Sequence, residues 1–200
     1  MKIRICIMNF KRTFLTTILL AYTLLLSGCS ELAPLVSHGA TTVAADQRTI
    51  GTMMDDEVLE MNISDMVSKD KDLYEKSHIN ITSFNFIILL TGEAPTQALK
   101  NRVEKIVLEH TKTRRVHNMI TIAAPSSILT RTSDSAITAR VKAEMLGDKN
   151  IDGHKIKVNT ENGVTYLMGL VKRKDGNSAV DITQGISGVQ KIVKLFEYLD

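Results

Sequence analysis

From position 55 onward the apolar residues fall at the spacing of one helix face, then switch to alternation, and the whole pattern occurs twice. Leu59, Ile63 and Val67 recur every four residues behind Asp55 and Asp56; Ile137, Val141 and Met145 do so behind Ser133 and Asp134. Such i, i+4, i+8 stripes line one side of an α-helix, and Asp or Ser just ahead of them suits the unpaired N–H groups of a first turn. The spacing thus predicts two amphipathic helices, the second over Asp134 to Leu146, with those four polar residues as caps. Strict alternation follows, Ile79 and Ile81 in one half and Ile156 and Val158 in the other, which puts each pair on one face of a strand. A second strand is predicted at Phe86 to Leu90 before Thr91-Gly92, and at Val164 to Leu167 before Met168-Gly169.

Gly92 and Gly169 lie 77 positions apart, and so do Ile79 and Ile156, and Ile81 and Val158. A shared offset is a register, the mark of an internal repeat. Glu161-Asn162-Gly163 is a strong tight-turn signal between the strands of the second half, and Ser83-Phe84-Asn85 a poorer one in the first. Further helices are expected over about Pro95 to His110, where Pro95 suits a first turn, and over Arg173 to Gly185. Closing strands are expected at Arg115 to Ile122 and at Val189 to Tyr198. Each half then reads α-β-β-α-β, which gives an α+β sandwich with one small sheet covered by two helices.

The first residues follow another pattern. Met1 to Arg12 is cationic and Phe14 to Leu26 is an apolar run too short to span a bilayer, the signature of a signal peptide. Met8 to Cys29 is already a complete signal, so Met8 is an alternative start. Leu26-Ser27-Gly28-Cys29 resembles a bacterial lipobox, which implies cleavage before Cys29 and acylation of its thiol and amine by diacylglycerol and a fatty acid such as palmitate. Several acyl chains hold a protein to a membrane far more firmly than one. Ser30, rather than Asp, follows the cysteine; by the same resemblance this implies transfer to the periplasmic leaflet of the outer membrane. Residues 30–46 are rich in Ala, Thr, Ser and Gly and read as a flexible tether with a reach of roughly 20–25 Å.

Charge changes its meaning once this leader is removed. The 200 residues carry a net charge of +3, yet the first 28 contribute four basic residues and no acid, so residues 29–200 stand at −1. That balance, and the compartment, exclude nucleic acid as a partner. With two cysteines the chain is no disulfide scaffold, and its length excludes a large multilayer enzyme. The five histidines, His38, His78, His110, His117 and His154, have no metal-ligand spacing. No nucleophile motif, Gly-rich phosphate loop or paired acidic motif frames a catalytic centre, so neither a cofactor nor a small-molecule substrate is expected. The basic runs Lys172-Arg173-Lys174 and Arg114-Arg115 read as solvated charge beside an acid, or as phosphate contacts.

The repeated α-β-β-α-β unit, the strand-ending Gly92 and Gly169, and the step Ser187-Gly188-Val189 resemble the BON domain, and two such domains behind a lipobox resemble a family of outer-membrane lipoproteins. The organisation expected is a signal peptide over 1–28, acylated Cys29 and tether over 29–46, a first domain over 47–122, a linker over 123–132 and a second domain over 133–200. The resemblance implies a non-enzymatic protein, anchored in the outer membrane and facing the periplasm, that supports envelope integrity at the division site. It also implies binding to anionic phospholipid through the first helix of the second domain, carried over here to Ile137, Arg140, Val141, Lys142 and Met145. The three apolar residues of that set pack either on lipid or on their own sheet. Where family members have an aromatic near the helix start, this chain has Ala136, which shifts the expected affinity towards Arg140 and Lys142. The alternatives are a module that binds periplasmic envelope proteins and a haemolysin-like cytolytic factor.

Overall fold

The computed structural model describes residues 48–200, so the expectations for the signal peptide, Cys29 and the tether lie outside the described residues. The described residues belong to one compact unit. The first repeat comprises α1 (Ile50–Lys69), α2 (Lys71–Lys76), β1 (His78–Phe84), β2 (Ile87–Ala94), α3 (Gln97–Leu108), β3 (Arg115–Asn118) and β4 (Thr121–Ile122). The second comprises α4 (Ile128–Gly147), a 3₁₀ turn over Gly153–Lys155, β5 (Ile156–Glu161), β6 (Val164–Val171), α5 (Arg173–Gln184) and β7 (Lys191–Tyr198). In both sheets the central strand pairs antiparallel with the strand before it and parallel with the strand after the helix. The fold is α+β, as the repeat predicts.

Both long helices start earlier than their apolar stripes suggest, because their caps lie farther back. Thr49 caps α1 by accepting the Thr52 N–H at 3.0 Å, and Ser127 caps α4 by accepting the Thr130 N–H at 3.1 Å. Residues 128–132, expected as linker, are therefore helical. Asp56 and Asp134 are not caps at all. They sit inside their helices, 1% and 4% exposed, and reach the β-hairpin of their own repeat. Asp134 accepts the N–H groups of Asn162 and Gly163, each at 2.9 Å. Asp56 accepts those of Asn85 at 2.7 Å and Phe86 at 2.8 Å, as well as the Ser83 hydroxyl at 2.6 Å and the Arg48 guanidinium at 2.8 Å.

This explains the poor turn signal of the first repeat. Asn85 and Phe86 form the tight turn with φ of 53° and 61°, a left-handed conformation that costs a Phe about 1 kcal/mol or more. Two charge-assisted hydrogen bonds from Asp56 offset that cost. The strand glycines have a different origin. At Gly92, with φ of 101°, a Cβ would lie 2.0 Å from the His78 carbonyl oxygen, and at Gly169 it would lie 2.8 Å from that of Lys155. Other departures are local. Arg115 to Ile122 is two short strands broken at Met119 and Ile120, α3 is capped by Thr96 so that Pro95 precedes it, β7 begins at Lys191, and α2 had no periodic signal.

Three hydrophobic clusters divide the interior. Leu59, Ile63, Val67, Leu73, Ile88, Leu90, Val103 and Val107 fill the space between helices and sheet of the first repeat. Ile137, Val141, Met145, Ile156, Val158, Leu167 and Ala179 do so in the second. A third cluster, Phe84, Ile87, Leu89, Tyr166 and Met168, joins the opposite faces of the two sheets. The result is four layers, helices outside and two sheets face to face within. Every residue of β2 is buried for this reason.

Polar contacts rim the sheet-to-sheet core. Asn80 donates to Glu161 at 2.6 Å, Asn159 to Thr91 at 3.0 Å, and Lys157 to Glu60 at 2.5 Å and to the Ser83 carbonyl at 3.2 Å. Asn162 donates to the buried Glu93, which also accepts the Ser126 N–H. Arg114 bridges to Glu197 at 3.0 Å, so this basic run serves the interface between the repeats.

Candidate functional site

The helix singled out by sequence, α4, presents two faces of different chemistry. Its inner face consists of Asp134, Ile137, Val141 and Met145, all buried. Ile137, Val141 and Met145 are therefore core residues: at four-residue spacing they point at β5 and β6, and burying each contributes about 1.5–3 kcal/mol that lipid contact would forfeit. Arg140 and Lys142 are exposed.

The outer face carries what the stripe reasoning missed. Residues that fall opposite the buried set at 100° per residue are Ile128, Thr132, Ala136, Ala139, Ala143 and Leu146, with Leu129 beside them. All are exposed; Ile128 and Leu129 stand at 80% and Leu146 at 53%. The face is uncharged along its whole length. Arg140 lies on one border, its Nε donating to the Ala136 carbonyl at 3.3 Å, and Lys142 lies on the other; Glu144 is the acid nearest in the helix. A continuous run of alanine with leucine at both ends was visible in the sequence, but a search for helix faces anchored on Ile, Val and Met passes over alanine.

The first domain has a counterpart. On α1 the outward positions Ile50, Met54, Val58 and Met61 are 50–69% exposed, and the acids Asp55, Glu57 and Asp65 lie among them. The two helices thus share an apolar outer face with opposite borders, basic on α4 and acidic on α1.

Between the repeats lies a cluster of buried carboxylates, Glu93, Asp134 and Glu161, with His78 at 3.6 Å from Glu161. Burial, and then the charges of Glu93 and Asp134, push the Glu161 carboxyl above its usual range although the Asn80 hydrogen bond opposes this. Burial, with Arg131 nearby, pushes His78 below its usual value. A raised carboxyl binds its proton more readily in the folded chain, so its contribution improves as pH falls through the folded value and is complete below the unfolded value near 4.5. His78 acts the other way, since the unfolded chain takes up a proton near 6.5 that the folded chain resists. Glu161→Gln removes only the first effect. We expect this variant to lose more stability than the wild type between pH 6.5 and 4.5 in urea titrations; an unchanged pH slope would show that Glu161 is not titrating against burial.

Among the described residues no group of His, Cys, Asp and Glu could hold a metal ion, and no helix is long and apolar enough to cross a membrane. Comparison with known proteins gives the fold its family. The BON domain model matches twice, at residues 55–124 and 133–200. The chain belongs to the BON-domain family. It is similar to the outer membrane lipoprotein DolP of Haemophilus influenzae, 36% identical over 92% of this chain and 95% of that protein. A protein named 21 kDa hemolysin from Actinobacillus pleuropneumoniae is 30% identical over 81% of this chain and 84% of its own length. In BON terms, α4 is the first helix of the second domain.

Proposed function

We propose that this chain is an outer-membrane lipoprotein, acylated at Cys29 and facing the periplasm, whose BON domains bind anionic phospholipid and support envelope integrity at the division site without catalysing a reaction. The likeness to DolP over nearly the full length of both chains supports the anchoring and the compartment. The observation that carries the lipid reading is the outer face of α4: an uncharged strip from Leu129 through Ala136, Ala139 and Ala143 to Leu146, bordered by Arg140 and Lys142. Such a face lies on the headgroup layer with its cations on lipid phosphates. Each cation adds about 1 kcal/mol at an anionic surface and Glu144 subtracts from it, so attraction by the helix is weak and the anchor supplies permanence.

Vesicle co-sedimentation of residues 44–200 tests this directly. Binding is expected to phosphatidylglycerol-containing vesicles and to fall several-fold on phosphatidylcholine alone. Ala139→Asp with Arg140→Glu, both exposed, should abolish it while leaving the unfolding midpoint unchanged. Equal binding to both vesicles, or none, would sink the lipid reading. A second reading, a protein-interaction module, is favoured by Val58 and Met61 on α1, whose acidic neighbours Glu57 and Asp65 suit a basic protein partner better than an anionic leaflet. Crosslinks to partner proteins that survive the α4 substitutions would support it. The third reading, cytolysis, rests on the name of one relative; the purified chain would then lyse erythrocytes by itself.

A further inference from the structure

The open cleft where α1 meets α4 and β5 has the composition of a headgroup site. It has a volume of about 330 Å³; Met53, Met54 and Ile156 supply apolar wall, Arg48, Lys142 and Lys157 supply cations against one acid, Glu57, and the His154 imidazole stands beside them. Two of these cations are committed. Arg48 pairs with Asp56 at 2.8 Å and stacks 3.8 Å over the Phe84 ring, while Lys157 bonds to Glu60 at 2.5 Å. Lys142 and His154 are exposed, and their side chains make no hydrogen bond or ion pair within the described residues. They stand on different elements, α4 and the 3₁₀ turn, across from the two methionines of α1.

From this we infer that the cleft receives the headgroup of an anionic glycerophospholipid from the leaflet that holds the anchor, its phosphodiester against Lys142 and His154 and its glycerol and first methylenes against Met53 and Met54. The inference rests on the lipid reading above and extends it from one helix to a site shared by both domains. Met54 on the cleft wall is 65% exposed, and Ile50, one turn earlier on α1, is 62% exposed. The acids of α1 do not oppose this docking equally, since Asp55 pairs with Lys112 at 2.9 Å and Glu57 lies 3.7 Å from Lys157.

The test uses residues 44–200 with methyl-labelled methionine and dihexanoyl-phosphatidylglycerol kept below its micelle concentration. Saturable shifts of the Met53 and Met54 methyl signals are expected, with much smaller ones from dihexanoyl-phosphatidylcholine and from inorganic phosphate. Lys142→Ala should weaken the titration about fivefold, the factor carried by one cation at an anionic surface; His154→Ala should weaken it by loss of a hydrogen-bond donor to the phosphodiester, and Met54→Ser should weaken it, neither with a change in unfolding midpoint. Absence of saturable shifts at the two methionines, or an equal response to the choline lipid, overturns the proposal. Equal affinity for inorganic phosphate also overturns it, making the cleft a free-anion site. Vesicle binding that responds to Arg140→Glu but not to His154→Ala or Met54→Ser defeats the cleft and spares the α4 face. No vesicle binding by the unsubstituted body defeats both.

Discussion

Replacing Asp56 by alanine is expected to lower the unfolding free energy by about 3–5 kcal/mol, read from urea denaturation of residues 44–200. The carboxylate is 1% exposed and accepts four hydrogen bonds, two of them from consecutive backbone N–H groups of the Asn85-Phe86 turn. Removing it strands donors that water reaches poorly, at about 1–3 kcal/mol for each buried group. It also removes the ion-pair partner that Arg48 has at 2.8 Å, and the support for a left-handed phenylalanine. Asp134→Ala should cost less, about 2–3 kcal/mol. Its carboxylate holds two N–H groups, and the second of its turn residues is Gly163, which takes a φ of 72° without strain. Equal losses for the two variants would mean that Arg48 and the Phe86 strain contribute nothing measurable.

These two aspartates also show where reading the sequence stops. An acid ahead of an apolar stripe has two meanings, a cap for its own helix or an anchor for a distant turn, and only the three-dimensional fold brings Asn162 to Asp134. The 77-residue repeat was legible because hydrophobic spacing and strand-ending glycines are local, and that was enough for the α+β unit, its order and its family. The position of Arg140 and Lys142 outside the core followed from the same helical period. What the period left undecided was whether the stripe itself faces out or in: Ile137, Val141 and Met145 turn inward because a helix in a small sandwich must cover its sheet first. The cleft was invisible because its walls come from α1, α4 and β5, which no spacing rule connects.

The packing of one sheet on the other left a trace that can be tested with the second large effect. Strands buried on one face alternate, whereas Phe86 to Leu90 and Tyr166 to Met168 are continuous apolar runs, the pattern of strands covered on both faces. Ile88, Leu90 and Leu167 point to their own helices; Ile87, Leu89, Tyr166 and Met168 point to each other. Leu89 is fully buried in that middle layer. Leu89→Ala should cost about 2–5 kcal/mol. Leu89→Asp puts a charge where it has no partner, and the least costly response is separation of the sheets rather than loss of either helix-covered core. The expected result is a larger scattering radius for residues 44–200 with far-ultraviolet circular dichroism retained. Because the cleft needs α1 and α4 held together, the same variant should lose the phosphatidylglycerol response at Met53 and Met54 while the α4 face still binds vesicles. Global unfolding of Leu89→Asp would instead show that the domains stabilise each other so strongly that neither sandwich stands alone. An unchanged radius would place Leu89 outside the contact that joins them.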